Sequence, residues 1–376
     1  MEKNKTILPP HTIGIIGGGQ LGRMMAIAAR YMGYKVAVLD PTPDCPTAQV
    51  ADIQITAAYD DMNAIKELTE ISDVITYEFE NVDLTAAAYI EKQGKLPQGT
   101  YALEITQNRE KEKNVIQEMN LPIPDFAIVK NAEECRNALH TFTFPAVIKT
   151  CRGGYDGKGQ IKINSIEDTD RAAQFAEEHG YCIIEQWITF DKEISVVFSR
   201  SHEGKITIFP IAENKHRDHI LYQTTVPAKI SSTVENKAYE ATKILAEKMN
   251  IVGTFAIEMF VQGDDIFLNE MAPRPHNSGH YTIEACNVSQ FTQHIRAICG
   301  LPLVEVQLLN EAVMINILGE DMDGVFKALP QAENGFVHLY GKSEPKEKRK
   351  MGHITFIAAN EETLQKQIEH FKGAMA

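Results

Sequence analysis

The sequence predicts an α/β and α+β protein folded in two or three domains, and three observations carry that prediction. At 376 residues the chain exceeds what one ordinary hydrophobic core supports. Residues Thr12–Asp40 follow the order strand, glycine loop, helix, strand, acid, which is that of a parallel βαβ unit. Much further on, Thr254–Val261 and Ile266–Leu268 flank Gly263-Asp264-Asp265 as the arms of an antiparallel hairpin.

Thr12–Ile16 is a short apolar run ending at Gly17-Gly18-Gly19-Gln20-Leu21-Gly22, after which a helical pattern continues through Met32. The β-rich run Lys35–Leu39 then ends at Asp40. Gly17, Gly19 and Gly22 meet the G-x-G-x-x-G spacing, which lets backbone approach an anion at a helix N-terminus. The spacing alone leaves NAD, FAD, a phosphate-bearing substrate and a plain tight turn all open. Asp40 suits a ribose hydroxyl and equally suits the opening of an Asp-Pro turn. The next strand, Asp73–Tyr77, runs into Glu78-Phe79-Glu80-Asn81 at the carboxyl rim where open α/β sheets bind ligands. Glu78 is expected near the glycine loop and Glu80 facing water. A helix over Leu84–Lys92 closes a first domain near residue 104.

A charged helix, Gln107–Met119, leads to Leu121-Pro122-Ile123-Pro124, a connector that bars helix. The strand Phe144–Lys149 then meets Arg152-Gly153-Gly154-Tyr155-Asp156-Gly157-Lys158-Gly159, with four glycines in seven residues. With Lys149 before it and Lys158 inside it, this flexible cationic loop suits a polyphosphate. It is not a Walker A loop, because neither Ser nor Thr follows Gly-Lys and no helix opens there. A glycine-rich hairpin tip is the plainer alternative, and it leaves both lysines unexplained. After a helix at Glu167–His179 come the strand Tyr181–Trp187, carrying Glu185, and the strand Glu193–Ser199. The spacing between Glu185 and Glu193 suits a hinge that reads an adenine edge and a ribose. Glu213–His219 reads as a polar loop holding His216 and His219, and Asn236–Asn250 as an amphipathic helix.

In the hairpin, a three-residue loop pairs Gln262 with Ile266 and sets Glu258 opposite Glu270. Like charges so opposed destabilise a sheet, and a divalent cation between them reverses the sign. Oxygen-only donors favour Mg²⁺ or Mn²⁺. Two solvated carboxylates on an edge hairpin are the alternative, and a two-residue loop would part them. Beyond the loop set by Pro273 and Pro275, the runs Ala312–Leu318, Gly335–Tyr340 and Met351–Ala358 suggest a small β element. Between the last two lies Lys346-Glu347-Lys348-Arg349-Lys350, either a solvated loop or a phosphate clamp. A final helix, Glu361–Phe371, reads as a surface cover.

A net charge of −14 argues against general affinity for nucleic acid or an anionic membrane while leaving room for a local basic pocket. No apolar run approaches a membrane span, and MEKNKTILPPH has no signal core, so a cytoplasmic protein is expected. Six widely spaced cysteines without a C-x-x-C pair read as reduced packing residues.

Together, GIIGGGQLGRM, ITYEFENV, GGYDGKGQ, NEMAPRPHNSGHYTIEAC and GKSEPKEKRKMGH resemble the ATP-grasp superfamily. Within it they are similar to the N5-carboxyaminoimidazole ribonucleotide synthetases, over essentially Thr12 to Thr355. The resemblance implies an ATP-grasp fold: a Rossmann-like pre-grasp domain over 1–104, a linker helix and lid over 105–188, and a C-terminal grasp domain over 189–376. It also implies the sites. Arg109 and Lys149 contact ATP phosphates, and Gly154, Tyr155, Asp156, Gly157, Lys158, Gly159 and Gln160 close over them. Glu185, Gln186, Trp187 and Ile188 form the adenine hinge, largely through backbone. Glu193 binds ribose, and His216 belongs to the nucleotide site. Glu258 and Glu270 hold Mg²⁺, with Asn269 beside them. The phosphate of 5-aminoimidazole ribonucleotide lies at Gln20-Leu21 and is clamped by Lys342, Arg349 and Lys350. Glu78 and Asn277 touch its sugar or base, and Arg274 and His276 border bicarbonate.

The implied chemistry is a two-step ligation through carboxyphosphate, with Lys149, Arg274 and Glu270 as the catalytic set and a homodimer as the assembly. Phosphoryl transfer of this kind runs on positioning and charge neutralisation. Two other readings stand beside it. One is a formate-dependent ligase of the same fold, and the other is a nucleotide- or NAD-binding protein built on Gly17–Gly22.

Overall fold

The computed structural model describes residues 6–153 and 159–375. Three sheets organise them. The first is parallel, in the order β3-β2-β1-β4, from β1 (Thr12–Ile16), β2 (Lys35–Leu39), β3 (Ile53–Ile55) and β4 (Val74–Tyr77). Both of its faces are buried, as a parallel sheet requires. Ile16, Leu39 and Tyr77 pack beneath the helices Met62–Ile71 and Leu84–Lys92. On the other face Ile13, Ile15 and Met25 meet Phe291 and Ile295 of the helix Gln290–Ile298. A helix from late in the chain therefore helps to complete the N-terminal core.

The second sheet is antiparallel, in the order β5-β8-β6-β7, from β5 (Phe126–Val129), β6 (Ala146–Thr150), β7 (Gln160–Ile163) and β8 (Cys182–Gln186). One face packs on the helices Ala132–Leu139 and Thr169–His179 through Cys135, Ile148, Phe175 and Ile184.

The third sheet has nine strands, in the order β14-β13-β9-β11-β12-β15-β17-β16, with a short strand, β10, beside β9. Its members are β9 (Lys192–Arg200), β10 (Ile206–Ile208), β11 (Ala212–Arg217), β12 (Ile220–Val226), β13 (Gly253–Gln262), β14 (Asp265–Ala272), β15 (Glu311–Leu318), β16 (Gly335–Leu339) and β17 (Lys350–Ala358). The helix Ser232–Met249 lays Val234, Ala238 and Leu245 on Phe198, Phe255 and Leu268.

Two expectations are corrected here. The supposed polar loop at Glu213–His219 is largely strand β11, because its inward Asn214 is satisfied by Ser195 at 2.9 Å and Thr224 at 3.0 Å. A polar core position hides the alternation that would have marked it. The last three strands are not a separate β element either. Strand β15 pairs with β12, placing Met314 opposite Thr224, and so extends the large sheet. The closing helix, Glu361–Met375, buries Leu364, Ile368 and Phe371 against that extension. All six cysteines are buried and unpaired.

Candidate active site

The hairpin β13–β14 turns through two residues, not the expected three, because Gln262 pairs with Asp265. Carried along the strands, that register would set Glu258 against Asn269. A β-bulge intervenes, with Met259 opposite Leu268 but Glu258 opposite Glu270. Asn269 is thus the extra residue, and it restores the opposition that a two-residue loop alone would have lost. Its carbonyl accepts a hydrogen bond from Lys113 at 2.8 Å. Glu258 is buried, with His276 Nε2 3.4 Å away. Burial first, then the charges of Glu270 and Glu193, push the Glu258 carboxyl well above its usual range. Burial and the neighbouring Arg274 push His276 down to about 3, so this imidazole is neutral and adds no positive charge beside Glu258. Two opposed carboxylates in need of a cation fit a hard divalent ion that also takes phosphate oxygens.

Beside them opens the helix Arg109–Glu118, capped by Asn108, whose side chain accepts the Glu110 and Lys111 N–H groups. Arg109 Nη1 lies 3.9 Å from Glu270. Lys149 on β6 forms an ion pair with Glu185 on β8, and Lys113 approaches the same carboxylate at 3.1 Å. Burial pushes Glu185 up, but Lys113 and then Lys149 overcome it and hold the group well below the carboxylate range. Gln186 and Trp187 donate backbone hydrogen bonds to Asp125 and Pro145, and Ile188 follows directly after them. The Lys162 ammonium sits 3.8 Å from the centre of the Trp187 ring. Glu193 and His216, on adjacent strands β9 and β11, come within 3.2 Å. Thr150 donates to the Gly159 carbonyl at 2.9 Å, and Gln160 pairs with Lys149. Gly154, Tyr155, Asp156, Gly157 and Lys158 lie outside the described residues.

The glycine loop is already engaged. The Gly18 N–H donates to Asp40 at 2.7 Å, and Asp40 also accepts from Thr42 and Tyr59. This removes Asp40 from the role of a free ribose ligand. Glu78 accepts from the Gly19 N–H and, at 2.8 Å, from the Gly22 N–H, so a carboxylate occupies the donors that the spacing offered to a phosphate. Gln20 and Leu21 form the first turn of the following helix, Leu21 turning into the core. Lys342 donates to the Lys350 carbonyl at 2.7 Å. Burial and Arg349 bring Lys342 down to about 8, with Glu78 acting in the opposite sense. Arg349 holds the Glu344 carbonyl at 2.9 Å. The loop reaches the N-terminal domain where Gln49 donates to the Gly341 carbonyl at 2.9 Å. Asn277 is buried and exchanges hydrogen bonds with Asn316.

Glu80 is half-buried and paired rather than free in water. Its Oε2 accepts a hydrogen bond from Arg274 Nε at 2.6 Å and makes an ion pair with Arg274 Nη2, also at 2.6 Å. Burial pushes Glu80 up, and the guanidinium brings it below its usual value. The pair walls a cavity lined also by Arg109, Glu112, Glu270 and His276. Sequence reading missed Glu80 as a partner, as well as Lys113, Glu112 and Asn316. Glu112 accepts the Met271 N–H at 2.7 Å, and burial lifts it to about 7 despite Lys113 and Arg109. The charged helix that carries Arg109-Glu110-Lys111-Glu112-Lys113 gives no sign in sequence that Glu112 and Lys113 are buried.

The ribonucleotide synthetase preATP-grasp domain matches residues 11–107, the ATP-grasp domain 114–291, and the phosphoribosylaminoimidazole carboxylase C-terminal domain 312–367. The N5-carboxyaminoimidazole ribonucleotide synthase of Bacillus subtilis is 49% identical over 96% of this chain and 95% of its own. The chain belongs to the N5-carboxyaminoimidazole ribonucleotide synthase family. A solved synthetase of this family, an ADP complex, superposes with a TM-score of 0.95 at 50% identity, covering 98% of each chain. The Aspergillus clavatus synthase, solved with ADP and 5-aminoimidazole ribonucleotide, gives 0.89 at 28% identity over 97% of this chain and 98% of its own. The ATP-grasp fold expected from the motifs is therefore established, and the formate-dependent alternative finds no support among these synthases. With Asp40 and Glu78 engaged at the glycine loop, the NAD-binding alternative gains nothing from the structure.

Proposed function

We propose that this chain carboxylates the exocyclic amine of 5-aminoimidazole ribonucleotide, using ATP and bicarbonate and releasing ADP and phosphate. The observation that carries the reading is the cavity where Arg109, Glu270, Arg274, His276 and Glu80 converge. Bicarbonate held beside Arg274 and the neutral His276 attacks the γ-phosphoryl of ATP to give carboxyphosphate. The ribonucleotide amine then captures the carboxyl carbon.

Lys149 and Arg109 bring positive charge to the phosphates, and Arg274 neutralises charge on the transferred group. Glu258 and Glu270 would hold Mg²⁺ or Mn²⁺, which supplies charge neutralisation across the phosphates when bound. The hinge Glu185–Ile188 reads adenine, and Glu193 with His216 lies on the ribose side. Lys342, Arg349 and Lys350 take the ribonucleotide phosphate at the Gln20-Leu21 turn, with Glu78 and Asn277 toward its sugar and base.

The enzyme works in the cytoplasm as a homodimer in this reading. Among the described residues no helix is long and apolar enough to cross a membrane. Glu270→Ala is expected to abolish bicarbonate-dependent ADP release at saturating ribonucleotide, and retained turnover would defeat the assignment.

A further inference from the structure

Lys113 stands in a charged helix, yet its side chain is 0% exposed. It donates to the Asn269 carbonyl at 2.8 Å and lies 3.1 Å from Glu185 Oε1. The second contact is an ion pair and not a directed hydrogen bond, since no donor meets Oε1 in hydrogen-bonding geometry. The other oxygen of Glu185 takes Lys149. Of the three side chains, Glu185 is 3% exposed and Lys149 14%, so Lys149 is the one with appreciable access to solvent.

A carboxylate this deeply buried cannot lose its counter-ion cheaply, because an unpaired buried charge costs several kcal/mol. If Lys149 were the sole partner of Glu185, moving its ammonium onto a nucleotide phosphate would strand that charge. Lys113 removes the obstacle. Its hold on Asn269 fixes it from the far side, and it remains beside Glu185 whatever Lys149 does.

We propose that Lys113 is the resident counter-ion of Glu185 and the positioning residue that frees Lys149 for the nucleotide. This rests on the reading of Lys149 as a phosphate ligand. In the ligand-free protein Lys149 is parked on Glu185; with ATP present it leaves, and Glu185 stays neutralised by Lys113. The same ammonium grips the bulge residue of the carboxylate hairpin, so the parking site and the metal-facing strand share one anchor.

The test uses the full chain, with its single tryptophan, Trp187, as reporter at the hinge. MgATP is titrated against parent, Lys113→Met, Glu185→Gln and the double variant, following fluorescence and, separately, the KM for ATP. Lys113→Met is expected to weaken MgATP at least about tenfold, by pinning Lys149 to an otherwise unpaired Glu185. With Glu185→Gln added, the double variant should bind MgATP at least about threefold more tightly than Lys113→Met alone, because neither buried charge then needs the other. Loss of a merely structural lysine would lower the melting temperature and leave the KM for ATP at the parent value. Parent-like affinity in Lys113→Met would overturn the proposal, as would a double variant no better than the single one. If Lys113→Met does not fold, the double variant is compared with Glu185→Gln: equal MgATP affinity is expected, and a further loss in the double variant counts against the proposal. Failure of the parent itself to bind MgATP would instead bring down the nucleotide-site reading on which this one stands.

Discussion

Replacing Glu258 by Gln removes one of two carboxyls that the bulged register sets face to face, and the outcome separates stability from function. Directly opposed residues on adjacent strands stand about 5 Å apart. Two unit charges at that separation repel by about 3 kcal/mol at an effective dielectric of about 20. Because the Glu270 side chain is 45% exposed, water screens its share, and about 1–2 kcal/mol is the appropriate expectation. At about 2–4 °C per kcal/mol for a domain of this size, the metal-free Glu258→Gln variant should melt about 2–8 °C above parent at neutral pH.

The pH dependence has a definite sign. Glu258 is raised above its ordinary value of 4.5, so its contribution to stability is complete below that value and is lost as pH climbs through the raised one. The gap between variant and parent should therefore widen from acid to neutral. Mg²⁺ with ADP should raise the parent melting point and leave the variant nearly unmoved, while turnover in the variant collapses. Thermal melts in EDTA and in Mg²⁺–ADP across a pH series measure all of this. A variant that melts below parent in EDTA, or a gap that does not change with pH, would refute the opposed-carboxylate argument.

Three further outcomes are expected. Lys342, brought down to about 8, loses its charge as pH rises through that value, so kcat/KM for the ribonucleotide should fall about tenfold per unit above it. Lys342→Arg should flatten that limb, and an unchanged profile in the variant would exclude Lys342. Glu80→Gln weakens the two-point hold on Arg274 and should raise the KM for bicarbonate at least about fivefold with the KM for ATP unmoved; equal effects on both would point to general damage. Gly22→Ala would put a methyl 2.5 Å from Thr47 Oγ1 and 2.7 Å from the Gly17 carbonyl. It should cost about 1–3 kcal/mol of stability, read as a lower melting temperature, and a neutral effect would show that the loop can widen.

How much of this was legible in sequence depends on whether the signal was local. Strands β1 and β2 begin and end where the apolar runs do, because both faces of a parallel sheet are buried and glycine or acid bounds each run. The opposition of Glu258 and Glu270 was expected on an incorrect loop length, and two departures cancelled: a turn one residue shorter and a strand one residue longer. Nothing in LNEM marks Asn269 as a bulge, since an inserted residue has the same composition as a paired one. Strand β11 was hidden because its core position is Asn214, satisfied by side chains from two other strands. Glu80 and Arg274 are 194 positions apart, and Lys113 meets Asn269 across 156. Pairings of that span exist only once the sheets have docked, and a local pattern of charges reads as a wet surface until then.

The contact between Gln49 and the Gly341 carbonyl ties the first fifty residues to the last forty. During synthesis the N-terminal parallel sheet leaves the ribosome long before the basic loop is made. Its turn at Gln20-Leu21 stays one-walled until the final strands arrive, and the helix Gln290–Ile298 that seals its core comes almost as late. A nascent or C-terminally clipped chain is thus missing the wall that faces the turn. Completion of the polypeptide itself is what gives that turn its second wall.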